Sequence, residues 1–267
     1  GYKIYLQLFL SIFFSSCTLY FDTKLIIIPI ICFTKILFLE KKMQFKIFTF
    51  FIYIIFSLPY IYFISAWGDI LPPHVMEYRR VGDKLLLEHF GYSCTIIALY
   101  FLPLLLFKEK NLQNLIKDFL LSKKNYFLVF LFFIYLFYLL GFYEFPESHT
   151  NVFLIGSGYI HKVSIILFDS LFLQKIFTYF AFFASWIIIL IYIDRNYNNI
   201  LILLYFFLYP IIIWPIFHEY FDPLILLMAF TFFNSKLILN YKNSILLYLY
   251  LSLFLIFTNI YYSNLLS

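Results

Sequence analysis

The chain has 267 residues, of which 64% are hydrophobic and 12% are charged, and its mean hydropathy is +0.92. Soluble domains are about 25% charged and about half apolar, so this composition excludes a soluble globular protein and predicts a polytopic membrane protein. The net charge of +5 reflects loop lysines at the inner membrane face, and we expect no nucleic-acid partner.

Nine apolar runs predict the helices of the protein. They cover residues 4–20, 25–39, 47–66, 91–107, 126–143, 175–193, 200–217, 222–235 and 244–262. A perpendicular spanning helix needs about 20 residues, and an open sheet cannot cross lipid because its edges would leave backbone groups unpaired. We therefore predict an all-α fold, a polytopic transmembrane helical bundle with about nine spanning helices plus interfacial helices. Residues 1–267 form a single transmembrane domain in this interpretation.

The charged residues separate the two sides of the membrane. Most of the 19 lysines and arginines lie in segments 40–46, 108–124, 194–195 and 236–242, which the positive-inside rule places in the cytoplasm together with the N-terminus. All five histidines and most of the 14 acids lie in the other loops. This asymmetry predicts a functional site on the outer face, toward a periplasm or a lumen.

Two long outer loops, residues 67–90 and 144–174, carry candidate binding residues. Arg79 and Arg80 can contact a phosphate because the guanidinium offers two parallel donors. Anchoring to lipid headgroups is an equally good interpretation of these two arginines.

A second candidate phosphate contact lies in the later outer loop. His161 and Lys162 precede an apolar segment, residues 163–173, for which we predict an amphipathic helix in the membrane interface. The N-terminus of such a helix can receive phosphate oxygens. On the inner side, the lysine-rich segment 108–124 has apolar residues at helical spacing, which predicts an inner-surface helix.

The stretch 214–235 interrupts the apolar pattern with ionisable residues and two prolines. Pro215 is expected to break the preceding helix and Pro223 to begin the next, which predicts a hairpin of two short helices. His218, Glu219 and Asp222 would lie at its tip. The two carboxylates are three residues apart and could hold sugar hydroxyls or a metal ion, and an ordinary polar turn is the alternative.

Four stretches, in this order, resemble motifs of polytopic glycosyltransferases of the GT-C class. The stretches are residues 20–25, residues 67–69 with 72–74, residues 157–162 and residues 219–223. The similar family is that of the terminal dolichyl-phosphate-glucose-dependent α-1,2-glucosyltransferase, with its bacterial relatives. The first and last stretches lack the arginine of the family pattern.

The resemblance implies a multi-pass protein of a bacterial inner membrane or the endoplasmic reticulum. Such a protein moves a hexose from a polyprenyl-phosphate donor to a glycan or lipid-linked acceptor on the outer face. Together, the resemblance and the loop chemistry give catalytic candidates Glu219, Asp222 and Asp69, and substrate-binding candidates Arg79, Arg80, His74, His161, Lys162 and His218. No metal ligands are assigned, and a divalent metal ion as cofactor stays open.

The resemblance also leaves open whether this chain is an active enzyme. The catalytic carboxylate of the family lies in its first outer loop, which would precede Gly1, so we expect an N-terminally truncated fragment without that loop. The alternative functions are a lipid-linked glycan polymerase or ligase, a flippase or transporter, and a non-catalytic integral membrane protein.

The predicted topology can be tested by accessibility of single cysteines to a membrane-impermeant thiol reagent. Cysteines at His74, His149 and Glu219 should react from the outside, because these positions lie in the loops that carry few lysines. Cysteines at Lys110 and Asn240 should react only from the inside. Labelling of both groups from one side would rule out this topology.

Overall fold

The structure is a computed structural model of the chain. It describes residues 2–20, 25, 27–39, 42–68, 80–81, 85–145, 158–194, 198–214, 216, 221–222, 224–231, 233, 237–238 and 240–266. The chain divides into two compact units, Gly1–Lys84 and Leu85–Ser267. The single transmembrane domain stays a prediction.

The described part of the first unit contains three helices. They are α1 (Tyr2–Cys17), followed by a 3₁₀ turn at Thr18–Tyr20, α2 (Ile27–Leu39) and α3 (Met43–Trp67), and a two-residue strand β1 (Arg80–Val81) follows. The Ser15 and Tyr53 hydroxyls, 2.9 Å apart, join α1 to α3. Gly68 ends α3 because its positive φ of 73° closes the last turn at little steric cost.

The described part of the second unit contains eight helices and a two-residue strand. They are α4 (Glu88–Leu104) with a 3₁₀ extension Leu105–Phe107, α5 (Leu112–Leu121), α6 (Lys123–Phe142), α7 (Gly158–Leu167), α8 (Leu171–Ile193), α9 (Asn198–Ile211), β2 (Ile213–Trp214), α10 (Leu224–Thr231) and α11 (Tyr241–Leu266). The described residues therefore form an all-α fold, as predicted, apart from the two very short strands.

Helix α4 is the centre of the second unit, since every residue from Gly91 to Ala98 is buried. Helix α8 packs beside it in the same direction. The rings of Tyr92 and Phe182 lie 5.0 Å apart, and nine residues further along α4 and ten further along α8 the rings of Phe101 and Tyr192 stack at 4.0 Å. The nearly equal steps show that the two helices run parallel along this length.

The other long helices run antiparallel to this pair. The Trp186 indole of α8 donates to the Leu128 carbonyl of α6 at 3.2 Å. The Tyr250 hydroxyl of α11 donates to the Leu99 carbonyl of α4 at 3.0 Å. His89, near the start of α4, contacts the last turn of α9. Aromatic donors on one helix thus bond to backbone carbonyls of the next.

The bundle of the second unit has two chemically different ends. The first, where α4 and α8 begin, is here called the Glu88 end. The second, called the Lys110 end, brings together three of the predicted cytoplasmic segments. There the Lys110 ammonium lies 2.9 Å from the Asp194 carboxylate, and the Ile238 amide donates to the Phe107 carbonyl at 2.6 Å.

The described residues include four helices that are long and apolar enough to cross a membrane, as an integral membrane protein requires. They are Met43–Trp67, Glu88–Phe107, Lys123–Phe142 and Leu171–Ile193. These four match predicted runs 47–66, 91–107, 126–143 and 175–193. The other five predicted spans are not confirmed. Helix α10, for example, has 8 residues, about 12 Å, whereas the hydrocarbon core is about 30 Å thick.

Two local predictions need correction. The predicted interfacial helix 163–173 is instead α7, which begins at Gly158 and ends at Leu167, because Asp169 and Ser170 form a bend before α8. In the predicted hairpin, the first helix ends at Ile211, one residue after Pro210, and the second begins at Leu224. The inner-surface segment is a helix, α5, as predicted.

Gly91 allows the close approach of α4 and α8, and its replacement tests this packing. A methyl group added there would overlap the Phe182 ring. We expect Gly91→Ala to lower the stability by about 1–3 kcal/mol, the usual cost of overpacking. The measurement is thermal unfolding in a mild detergent. The matched control is Gly141→Ala on α6, where a methyl group meets no atom within 4 Å, and stability should not fall. Equal behaviour of the two variants would contradict the close contact.

Candidate functional site

A carboxylate and four tyrosines gather at the Glu88 end of the second unit. Glu88 is the first residue of α4 and is half-buried. Its carboxylate lies within electrostatic range of the hydroxyls of four side chains, namely Tyr92, Tyr135, Tyr143 and Tyr179. We refer to these five residues as the Glu88 cluster. An ionisable group in such a place indicates a functional site, because lipid alone could not solvate it.

The beginning of α4 positions Glu88 through hydrogen bonds from α6. The first amides of a helix have no intrahelical acceptor, and the Tyr135 hydroxyl accepts the Gly91 amide at 2.9 Å. The same hydroxyl donates to the Leu87 carbonyl at 3.0 Å. One tyrosine therefore fixes both sides of the first turn that carries Glu88.

Three further hydroxyls complete the cluster from three helices. Tyr92, 1% exposed, lies one turn after Glu88 on the same face of α4. Its hydroxyl is 3.4 Å from that of Tyr143, at the end of α6. Burial, followed by the nearby Tyr92 hydroxyl and Glu88, holds the pKa of Tyr143 above its usual range. The hydroxyls therefore stay protonated and can donate to a bound oxygen.

His89 has a structural role beside the cluster. It is buried, and its Nδ1 lies 2.7 Å from the Pro210 carbonyl oxygen. That carbonyl belongs to the last turn of α9, where helix carbonyls lack intrahelical donors. His89 thus satisfies the end of α9 at the point where the chain leaves the helix.

His161 is the predicted site residue with the strongest structural signal. It lies in the first half of α7, is 0% exposed, and has no hydrogen-bond partner at Nδ1 or Nε2 among the described residues. Phe145 links it to the cluster, since its ring lies 5.1 Å from the imidazole and 6.2 Å from the Tyr143 ring. A buried imidazole without a partner is costly, so this position favours a bound polar group or water.

Helix α7 begins inside the bundle. A side chain at Gly158, which has a φ of 71°, would touch Tyr92, and the Tyr159 hydroxyl donates to the Thr95 carbonyl at 2.9 Å. Since α4 rises about 1.5 Å per residue, the start of α7 lies roughly 6–10 Å from Glu88 along the α4 axis, in the direction of the Lys110 end. The N-terminal turn of α7, which carries His161 and Lys162, therefore lies at the depth of Tyr92.

An apolar groove runs along the outside of α6 and α8 to the cluster. Its volume is 280 Å³, and it is lined by Phe133, Leu136, Phe137, Leu140, Tyr179, Phe180 and Phe183. Phe137 and Phe180 are 71% and 68% exposed, so the groove opens toward lipid. Tyr179 belongs to both features, since it lines the groove and its hydroxyl lies within electrostatic range of Glu88. A hydrocarbon chain in this groove would have its polar head at the cluster.

Five of the other predicted site residues lie outside the described part of the chain, namely Asp69, His74, Arg79, His218 and Glu219. Arg80 is described only through its backbone, as the first residue of β1 in the first unit.

Asp222 is described, and it lies apart from the Glu88 cluster. Its carboxylate lies within electrostatic range of the Tyr100 hydroxyl. Tyr100 is twelve residues, or roughly 18 Å, further along α4 than Glu88. Asp222 is exposed and precedes the short helix α10.

Among the described residues, no group of three or more His, Cys, Asp and Glu side chains is close enough to hold a metal ion.

Glu88 and the tyrosines around it are not among the residues predicted from the sequence. The available signal was the pair Glu88-His89 directly before the run 91–107, with Tyr92 one turn later. In a chain with 25 tyrosines that spacing does not stand out. Tyr135, Tyr143 and Tyr179 come from other helices, and the hydropathy pattern does not specify which helices pack together.

No protein-family model, curated protein sequence or solved structure matches this chain. The resemblance to GT-C glycosyltransferases therefore remains an expectation from the four short stretches.

The burial of His161 predicts a pH dependence of stability. Burial, and to a smaller extent Lys162, lowers the pKa of His161 from 6.5 to about 4. Between these values the unfolded chain binds a proton that the folded chain does not, so stability falls as the pH falls through this window. The loss is at most about 1.4 kcal/mol per pH unit, and the contribution is constant above pH 6.5.

The measurement is the thermal unfolding midpoint in detergent between about pH 7.5 and about pH 4. His161→Gln should flatten the decline over this range, whereas the control Lys162→Gln should keep it. An unchanged decline in His161→Gln would show that the imidazole is not buried in neutral form.

Proposed function

We propose that this protein is a membrane-embedded glycosyltransferase of a bacterial inner membrane or the endoplasmic reticulum. It moves a hexose from a polyprenyl-phosphate donor to a glycan or lipid-linked acceptor at the Glu88 end. The observation that carries this proposal is that an exposed apolar groove shares Tyr179 with the cluster of hydroxyls near the half-buried carboxylate of Glu88. The order of short motifs that resemble the GT-C class supports the same conclusion.

Glu88 is the proposed general base. The acceptor hydroxyl gives its proton to the Glu88 carboxylate while its oxygen forms a bond to the anomeric carbon of the donor. The bond between that carbon and the phosphate oxygen breaks, and polyprenyl phosphate leaves with the electron pair.

The remaining groups would bind the sugar and the phosphate of the donor. The Tyr92 and Tyr143 hydroxyls can hold sugar hydroxyls. His161 and Lys162 can donate to the phosphate as its charge develops, and such donors act strongly where water is excluded.

The groove along α6 and α8 would hold the first isoprene units of the donor. At 280 Å³ it accommodates only part of a polyprenyl chain, and the rest would remain among the bilayer lipids. Tyr179 would then mark the boundary between tail and phosphate.

A second candidate function, a flippase or transporter of lipid-linked glycans, is favoured by the two short helices. Helix α7 begins at the depth of Tyr92, and α10 begins next to Asp222, which contacts Tyr100. Helices that begin inside a bundle and direct their N-termini at a site are typical of secondary transporters. A fluorescent polyprenyl-phosphate lipid in vesicles, quenched from outside, measures movement between leaflets without any transfer.

The transferase proposal is tested with the full chain in proteoliposomes, using radiolabelled dolichyl-phosphate glucose and lipid-linked oligosaccharide acceptors. Glu88→Gln keeps the shape and removes the base, so we expect at least a tenfold loss of kcat/KM, equivalent to about 1.4 kcal/mol. Glu219→Gln tests the base predicted from sequence in parallel. Glu109→Gln, an exposed carboxylate at the Lys110 end, is the matched control and should retain transfer.

Three results would change the proposal. Full activity of Glu88→Gln together with loss in Glu219→Gln would move the base to the 214–235 segment. Absence of transfer by the folded wild-type protein, combined with leaflet exchange of the fluorescent lipid, would favour the transporter. Absence of both activities would reject both functions for these substrates.

A further inference from the structure

Helix α5 lies at the Lys110 end, and the bundle covers only part of its apolar face. Leu115 is 1% exposed and packs inward. Leu112, Ile116 and Leu120 follow one another at four-residue intervals on the adjoining face and are 44%, 39% and 53% exposed. Residues at this spacing form one continuous stripe. Half of the apolar arc of α5 is therefore directed away from the protein.

Side chains of α6 hold the C-terminal end of α5. The Asn125 amide donates to the Phe119 carbonyl at 3.2 Å, and the Tyr126 hydroxyl donates to the Leu120 carbonyl at 2.6 Å. Carbonyls in the last turn of a helix lack intrahelical donors, so these two bonds cap α5 and set its angle to α6.

An ion-pair cluster holds the other side of α5. The Lys110 ammonium lies 2.9 Å from Asp118 on α5 and 2.9 Å from Asp194 at the end of α8. The helix is therefore tied to two spanning helices, and rotation that would bury its exposed stripe against the bundle would break these contacts.

The connections of α5 place it at a membrane surface. It lies between two candidate spans, Glu88–Phe107 and Lys123–Phe142. With 10 residues, or about 15 Å, it cannot cross the bilayer itself. An amphipathic helix between two spans must lie along the interface, with its apolar stripe among acyl chains and its polar side in water.

The charge next to the stripe specifies the kind of lipid. Lys117 is exposed and follows Ile116 directly, and the exposed Lys123 begins α6 two residues after the end of α5. Lysines beside an inserted apolar stripe extend their ammonium groups to the headgroup level. Two cations at that level attract phosphodiester groups with a net negative charge and not zwitterionic headgroups.

We propose that α5, with Lys117 and Lys123, is a docking surface for anionic phospholipids in the leaflet at the Lys110 end. The surface is independent of the proposed transfer reaction, which takes place at the opposite end of the bundle. It binds the headgroup and the acyl chain together, so a soluble phosphate ester without acyl chains should not replace the lipid.

The test uses the full chain reconstituted in phosphatidylcholine vesicles with spin-labelled phosphatidylglycerol or spin-labelled phosphatidylcholine. The fraction of motionally restricted lipid gives the relative affinity of the protein for each headgroup. We expect wild-type protein to prefer phosphatidylglycerol at least about threefold, and about 0.5 M NaCl to reduce this preference because salt screens exposed charges. Glycerophosphate should not compete.

The variant Lys117→Gln/Lys123→Gln should lose most of this preference, and thermal unfolding verifies that it is folded. Lys175→Gln, on the first turn of α8 at the Glu88 end, is the control and should keep it. Equal affinity for both lipids in the wild type, a preference that salt does not change, or a preference that survives in the folded double variant would each overturn the proposal. Competition by glycerophosphate would reassign the surface to free phosphates.

Discussion

The close contact between α4 and α8 at Gly91 and Phe182 determines the arrangement of the second unit. Without a side chain at Gly91, the Phe182 ring lies directly against the α4 backbone and beside Tyr92. Two neighbouring parallel helices require a connection that crosses the bundle and returns, which α6 and α7 supply. Both helices consequently begin at one end, where α6 supplies Tyr135 and Tyr143, and α8 itself supplies Tyr179.

Tyrosine and tryptophan satisfy much of the polar backbone at the helix junctions. In lipid each unpaired carbonyl or amide costs several kcal/mol, since no water replaces the lost partner. Tyr135, Tyr250 and Trp186 each bond to a backbone group of a neighbouring helix. An aromatic side chain suits this position because its ring fits an apolar interior while its polar atom bonds at the edge. His161, whose ring nitrogens have no bonding partner in the described part of the chain, departs from this pattern and therefore indicates a binding position.

The two ends of the second unit differ in chemistry. The Glu88 end combines a half-buried carboxylate, hydroxyls and the buried His161 imidazole with an exposed apolar groove, a combination that carries the proposed binding of a lipid-linked polar substrate. The Lys110 end carries lysines and an amphipathic helix held by Asp118 and Asp194. The proposed transfer at one end and the proposed lipid docking at the other would together fix the depth of the protein in a bilayer.

The class of protein could be predicted from the amino-acid sequence alone, as could the positions of the four long apolar helices, the helix at 112–121 and the separation of charge between loops. These follow from local transfer energies and helical spacing. Which helices are central, and which carboxylate lies among hydroxyls, depends on tertiary packing. Helices α4 and α6 have nearly equal mean hydropathies, 1.9 and 2.0, yet 78% of the first and 22% of the second is buried. Hydropathy cannot separate them because a side chain leaves water equally well for lipid or for protein. Glu88 has its tyrosine neighbours only when α4, α6 and α8 pack together.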